Sequence, residues 1–237
     1  MNMNKVKNVV IIIVVIIVII IVYRYLKGLS DKAYVRSNDD KTFYSYPSNA
    51  MTMKKIDNKD LPKAINNEMY SLGFWFYVDD WTYKYQQHKQ ILNKGDDMHH
   101  QPYISLDRTK NILKIKVDIL DRTEDIEIRD IYMKQWVHVY MNVENININV
   151  YVNGKLAKSH ILSSDIKNNG GDMYVNASGG FSGFITKLIV SNNVKTQRDI
   201  QKIYDQGPYN TSLLGALAHF FNKLLSKLSD KLDICNR

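Results

Sequence analysis

At 237 residues, with 24% charged positions, the chain has room for one globular domain plus flanking segments and not for two full domains. Its formal net charge is +8, but it has no arginine-rich tract and no zinc-ligand spacing, so the lysines read as solvated strand faces and no nucleic-acid partner is expected. The single cysteine, Cys235, excludes an intrachain disulfide framework and fits a reducing compartment.

After a short flank, residues 1–8, the stretch Val9 to Val22 has no polar side-chain atom. Extended to Leu26, it predicts a transmembrane helix over residues 9–26. Arg24-Tyr25-Leu26-Lys27 follows where a cleaved signal peptide needs small residues, which predicts an uncleaved anchor with Tyr23 and Tyr25 at headgroup level. Lys5 and Lys7 precede the span, while Arg24, Lys27, Lys32 and Arg36 follow it, so the positive-inside rule puts the large C-terminal part on the cytoplasmic side. The sequons Asn176-Ala177-Ser178 and Asn210-Thr211-Ser212 would matter only on the opposite side. Residues 27–65 show little periodicity and are broken by Tyr46-Pro47-Ser48-Asn49 and Leu61-Pro62, the pattern of a stalk or extended arm. Phe43, Tyr44 and Tyr46 leave two alternatives, a tether with a few aromatics or a segment lying against the domain as a strand.

The globular part is expected over residues 66–207. Leu72, Phe74, Phe76 and Val78 alternate with Gly73, Trp75 and Tyr77, and a polar loop follows from Asp79 to Lys89. Short strands are expected at Ile91 to Lys94, ahead of Gly95-Asp96, and at Tyr103 to Leu106. From Asn111 to Asp121, Leu113, Ile115, Val117 and Ile119 face inward while Lys114, Lys116 and Asp118 face out. Trp136 to Leu156 reads as paired strands closed by Asn153-Gly154, a strong hairpin signal. Its second strand puts Ile146, Ile148, Val150 and Val152 on one face and Asn147, Asn149, Tyr151 and Asn153 on the other. Strands at Met173 to Asn176 and Phe181 to Val190 come next, then a short helix capped by Thr196 with Asp199 three residues on, stopped by Gly207-Pro208.

Four of these segments occur in an order similar to that of the laminin-G-like, concanavalin A-like domains. They are the aromatic strand at Tyr70 to Val78, the strand ending Lys94-Gly95-Asp96, the Trp136 to Leu156 hairpin, and Phe181-Ser182-Gly183-Phe184-Ile185 with the strand and helix after it. The resemblance covers roughly Asn66 to Gly207. It implies an all-β, antiparallel jelly-roll β-sandwich, here behind an N-terminal transmembrane helix and ahead of a C-terminal amphipathic helix. Domains of this kind are known mostly as binding modules. Behind an N-terminal anchor in an Asn/Ile/Lys-biased chain, they also resemble proteins of large DNA viruses, which implies a place in a virion internal membrane.

Residues 208–237 change character. Leu213, Leu214, Leu217, Phe220, Phe221, Leu224, Leu225, Leu228 and Leu232 recur at helical spacing opposite Lys223, Lys227 and Lys231. Such a basic amphipathic helix fits a membrane interface, the sandwich or a partner equally.

Little in the chain points to catalysis, and no enzyme activity, catalytic residue or cofactor is expected. Glycosidases of this superfamily carry Glu-x-Asp-x-Glu on one strand; the nearest match, Thr123-Glu124-Asp125-Ile126-Glu127, has Thr123 at the nucleophile position. Calcium is held at the sandwich rim by some laminin-G-like domains, and Asp96, Asp97 and Asp172 are the candidates here, with Asp79 and Asp80 in a further loop. His99 and His100 lack a partner pair at zinc-like spacing, and His138 reads as a structural residue. The expected function is therefore a membrane-anchored binding module for a glycan or protein, with Asn147, Asn149 and Tyr151 as the candidate ligand face. The alternative is a structural tether between a membrane and an adjacent protein layer, with capsid or other virion proteins as partners; a glycoside hydrolase is the remote third.

Overall fold

The computed structural model describes residues 40–62, 69–95, 100–167 and 169–209. The expected span with its ends Val9 and Val22, residues 210–237 of the amphipathic segment, Asp96, Asp97 and Cys235 lie outside those residues. Among the described residues no helix is long and apolar enough to cross a membrane.

The body is a sandwich of antiparallel sheets. A seven-stranded sheet has the order β1 (Asp40–Phe43), β13 (Ser182–Ser191), β4 (Met69–Asp80), β9 (Trp136–Glu144), β10 (Asn147–Val152), β11 (Lys155–Ile161), with β2 (Ser48–Asn49) also paired to β13. A six-stranded sheet has the order β3 (Lys54–Ile56), β12 (Met173–Val175), β5 (Lys89–Lys94), β6 (Tyr103–Leu106), β7 (Leu113–Asp118), β8 (Thr123–Ile128). The expected all-β sandwich is what forms, together with a helix, α1 (Gln197–Asp205).

Period-two alternation builds the core. Phe74, Phe76 and Val78 of β4, Val137, Val139 and Met141 of β9, and Ile148 and Val150 of β10 point in from one sheet. Ile104 and Leu106 of β6, Ile115 and Val117 of β7, and Ile126 and Ile128 of β8 meet them from the other. Each such side chain contributes about 1.5–3 kcal/mol by leaving water. At the hairpin, Asn153 and Gly154 take φ of 50° and 77°, the paired positive values of a type I′ turn. Asn153 Oδ1 also accepts the His138 amide at 2.9 Å, tying the turn to β9.

The helix forms where the capping pattern puts it. Thr196 Oγ1 accepts the Asp199 amide at 3.2 Å, and the Thr196 hydroxyl donates to the Asp199 carboxylate at 2.7 Å. On the outer face of the seven-stranded sheet, Ile200 is buried against Tyr140 and Tyr151, and Tyr204 stacks on Trp75 with centroids 5.4 Å apart. Lys187 sits at a bulge of β13 and donates to the carbonyls of Gly207 at 2.7 Å and Tyr209 at 3.0 Å, securing the chain beyond the helix. Burial brings its ammonium down to about 8.

Of the two alternatives for the stretch around Phe43 and Tyr44, the structure shows the strand against the domain, so the sandwich begins ahead of residue 66. β1, β2 and β3 come from residues 27–65, the expected stalk: Phe43 pairs with Leu188 and Ile56 with Met173. Asp40 is also held by Lys195 Nζ at 2.8 Å. Strands this short carry too few residues to display alternation, and distant strands complete their hydrogen bonding.

β5 turns both of its lysines toward the space between the sheets. Lys89 lies opposite Leu106 and is fully buried, its ammonium 3.2 Å from the Arg108 carbonyl and 5.6 Å from the Trp81 ring. Burial depresses its pKa. Lys89→Met keeps the volume and removes the buried charge, so urea unfolding is expected to show unchanged stability or a gain of about 1 kcal/mol. A loss above about 2 kcal/mol would mean that the Arg108 and Trp81 contacts outweigh the desolvation.

Candidate functional site

The same alternation decides which side chains stand on the outer face of the six-stranded sheet, although two of them, Asn93 and Ser105, are buried there at 5% and 0% exposure. Register places Lys55, Tyr174, Asn93, Tyr103, Lys116 and Asp125 side by side across β3, β12, β5, β6, β7 and β8. Gln90, Ser105, Lys114 and Glu127 form the parallel row. Tyr174 and Tyr103 flank Asn93 and stand two strand spacings apart, about 10 Å.

The centre of this face is braced. His100 lies with its ring 5.0 Å from that of Tyr103, its Nδ1 3.3 Å from Asn93 Oδ1, and its amide donating to Asp118 at 2.7 Å. Toward β8 the charges alternate: Lys114 Nζ is 2.9 Å from Asp107 and 3.6 Å from Glu127, and Lys116 Nζ is 3.9 Å from Asp125. Burial works to raise the Asp107 pKa, but the Thr109 and Lys110 amides and the Lys114 ammonium win and hold the carboxyl well below its ordinary range. At this end the face opens into a cavity of about 600 Å³.

The residues expected at a site do not come together. Asn147, Asn149 and Tyr151 share the outer face of the seven-stranded sheet, as alternation predicts, but they do not form one open ligand face. Asn149 Oδ1 accepts the Ser159 hydroxyl at 2.6 Å, and Tyr151 lies beneath α1, only 8% exposed. Alternation identifies a face but not what covers it. Asp172 is committed to structure, with one oxygen accepting the Asn58 amide at 2.8 Å and the other 2.8 Å from Lys55 Nζ. Among the described residues no group of three or more His, Cys, Asp or Glu side chains is arranged to hold a metal ion.

The Thr123 to Glu127 stretch divides by parity. Thr123 donates to Asp118 at 2.6 Å, while Asp125 and Glu127 stand beside the lysines of β7. Glu124 faces the other way, into the seam between β8 and β11. There the Ser163 hydroxyl and the His160 ring, at 2.5 and 2.7 Å, hold its carboxyl down to about 2. Sequence inspection missed Tyr103, Tyr174 and Asn93 as site residues. Their outward parity in Tyr103-Ile104-Ser105-Leu106 and Met173-Tyr174-Val175 was available, but their adjacency depends on strand pairing.

Two jelly-roll sheets, one with a polar, aromatic outer face, define a lectin-like sandwich. Residues 54–201 match the concanavalin A-like lectin/glucanases superfamily in its laminin-G-type form, and the chain belongs to that family. No curated protein sequence matches it significantly. Among solved structures, the receptor-binding domain of botulinum neurotoxin C/D mosaic serotype is similar over 73% of this chain and 44% of its own, at 13% identity and a TM-score of 0.54. The receptor-binding domain of botulinum neurotoxin D is similar over 70% of this chain and 43% of its own, at 16% identity and a TM-score of 0.52. The match thus spans less than half of those chains, and at such identities it establishes a shared fold.

Proposed function

We propose that the chain is a membrane-anchored, non-catalytic recognition module whose sandwich binds a glycan on the outer face of the six-stranded sheet. The observation that carries this is the row Tyr174, Asn93, Tyr103, with His100 bracing its centre. Phenol rings offer flat apolar surface to sugar faces, Gln90 and Lys116 supply partners for hydroxyls, and buried Asn93 holds the space between the two rings. Membership of a lectin-containing superfamily supports a carbohydrate ligand, and the likeness to toxin receptor-binding domains supports binding over catalysis.

Hydrolysis would need a raised-pKa acid opposite a second carboxylate. The displaced carboxyls Asp80, Asp107, Glu124, Asp172 and Asp199 are all displaced downward. The apolar stretch 9–22 supports attachment to a bilayer, and the flanking Lys and Arg pattern favours the cytoplasmic side for the sandwich. A structural tether between that membrane and a protein layer, as in a minor capsid protein, is the second reading; the basic amphipathic segment that follows Tyr209 is compatible with it.

A glycan array probed with the full-length chain in detergent micelles is expected to give hits. Replacing both Tyr103 and Tyr174 by Ala should weaken them roughly thirtyfold while circular dichroism still reports a folded sandwich. An array silent throughout, or affinity untouched by the double substitution, would remove the glycan proposal and leave the tether.

A further inference from the structure

The cavity at the β6–β7 end of the six-stranded sheet lies against Lys114 and Glu127, the row that runs beside the Tyr174, Asn93 and Tyr103 row of the glycan proposal. Its volume of about 600 Å³ is that of a small-ligand site. Four cationic side chains line it, Arg108, Lys110, Lys114 and Arg129, against the two carboxylates of Asp107 and Glu127.

Both carboxylates are already engaged. Asp107 accepts the amides of Thr109 and Lys110 at 2.9 and 3.0 Å and pairs with Lys114; Glu127 is shared by Lys114 at 3.6 Å and Arg129 at 3.5 Å. The side chains of Arg108 and Lys110 have no acceptor among the described residues, although both reach the cavity wall. Uncompensated positive charge is thus concentrated at one end of the sheet face.

The loop that carries it is built firmly. The Asp107 amide donates to the Ile112 carbonyl at 2.8 Å, and buried Lys89 holds the Arg108 carbonyl from within. The wall is not purely ionic: Ile112 gives it an apolar portion, and Thr109 and Gln86 bring a hydroxyl and an amide. A sugar ring can rest on such a wall while its acidic substituent meets the guanidinium and the ammonium.

We propose that this cavity selects an acidic saccharide, seating a sulfate ester or carboxylate between Arg108 and Lys110 while the neutral part of the chain runs onto the Tyr103 and Tyr174 face. The inference rests on the glycan-recognition proposal and deepens it by assigning the ligand class.

The test uses the full-length chain in detergent micelles and four immobilised probes: a sulfated galactan hexasaccharide, its desulfated parent, hexagalacturonate and maltohexaose. The sulfated or the uronate probe, or both, should bind at least about tenfold more tightly than the neutral ones, and added salt should erode the difference. Arg108→Ala with Lys110→Ala should remove that preference, leaving neutral-saccharide binding and the thermal midpoint unchanged. The charge-reversed pair, Arg108→Glu with Lys110→Glu, should drive acidic probes below neutral ones. The relative response to the sulfated and uronate probes identifies which anion the cavity takes. Equal binding of all probes, with no response to either double variant, overturns the acidic-ligand inference while recognition on the tyrosine face stands. Silence from all probes overturns the inference, and the array then decides whether the wider glycan proposal falls with it.

Discussion

A Gly183→Ala substitution is expected to lower the unfolding free energy by at least about 3 kcal/mol, read from the urea midpoint of the full-length chain. Gly183 has a φ of 149°, where L side chains are strained, and a methyl group there would overlap the carbonyl oxygen of Tyr77. The overlap falls between β13 and β4, which are paired along most of their length, so backbone must meet backbone with no flexible side chain to move aside. The register shift between Ser182 and Gly183 shows that the chain already bends at this point. A measured loss below about 1 kcal/mol would mean that the bulge relaxes freely.

The second large effect is acid sensitivity centred on His138. This side chain is 1% exposed, its ring lies 4.9 Å from that of Trp75 and 6.1 Å from those of Tyr140 and Tyr204, and its Nδ1 is buried with no hydrogen-bond partner among the described residues. Burial, reinforced by the Lys187 ammonium, brings its pKa from 6.5 down to about 3. Above the unfolded value both states are neutral and the residue contributes no pH dependence. Below it the unfolded chain takes up a proton that the folded chain refuses, so stability falls as pH drops toward about 3, by up to about 1.4 kcal/mol per unit. His138→Phe keeps a ring in the stack and removes the titration. Urea unfolding should place it within about 1 kcal/mol of the parent at neutral pH and about 3 kcal/mol above it near pH 4. Parallel pH profiles for the two proteins would assign the acid limb elsewhere.

What the sequence disclosed was local. Asn153-Gly154 announces a turn because positive φ is needed at both positions, and Thr196 with Asp199 announces a helix start because the bonds lie three residues apart. The inward sets Leu72, Phe74, Phe76, Val78 and Ile148, Val150 follow from period two alone. The site was hidden because its members meet only through pairing: Tyr174 reaches Tyr103 by way of Asn93, three strands from separate parts of the chain. Tyr151 illustrates the converse. Its outward parity is readable, but its cover by Ile200 is a tertiary event. The short strands β1 to β3 belong with these long-range features, since Phe43 gains its place only against Leu188.

The pairing of Asp40 with both Ser191 and Lys195 also bears on mechanics. Tension applied to the segment ahead of Asp40 would reach the body through that ion pair and the four-residue ladder of β1 before any central strand felt it. The outermost strand would peel first, and the pull would pass next through β2 to β3, which pairs with the Tyr174 strand at the edge of the opposite sheet.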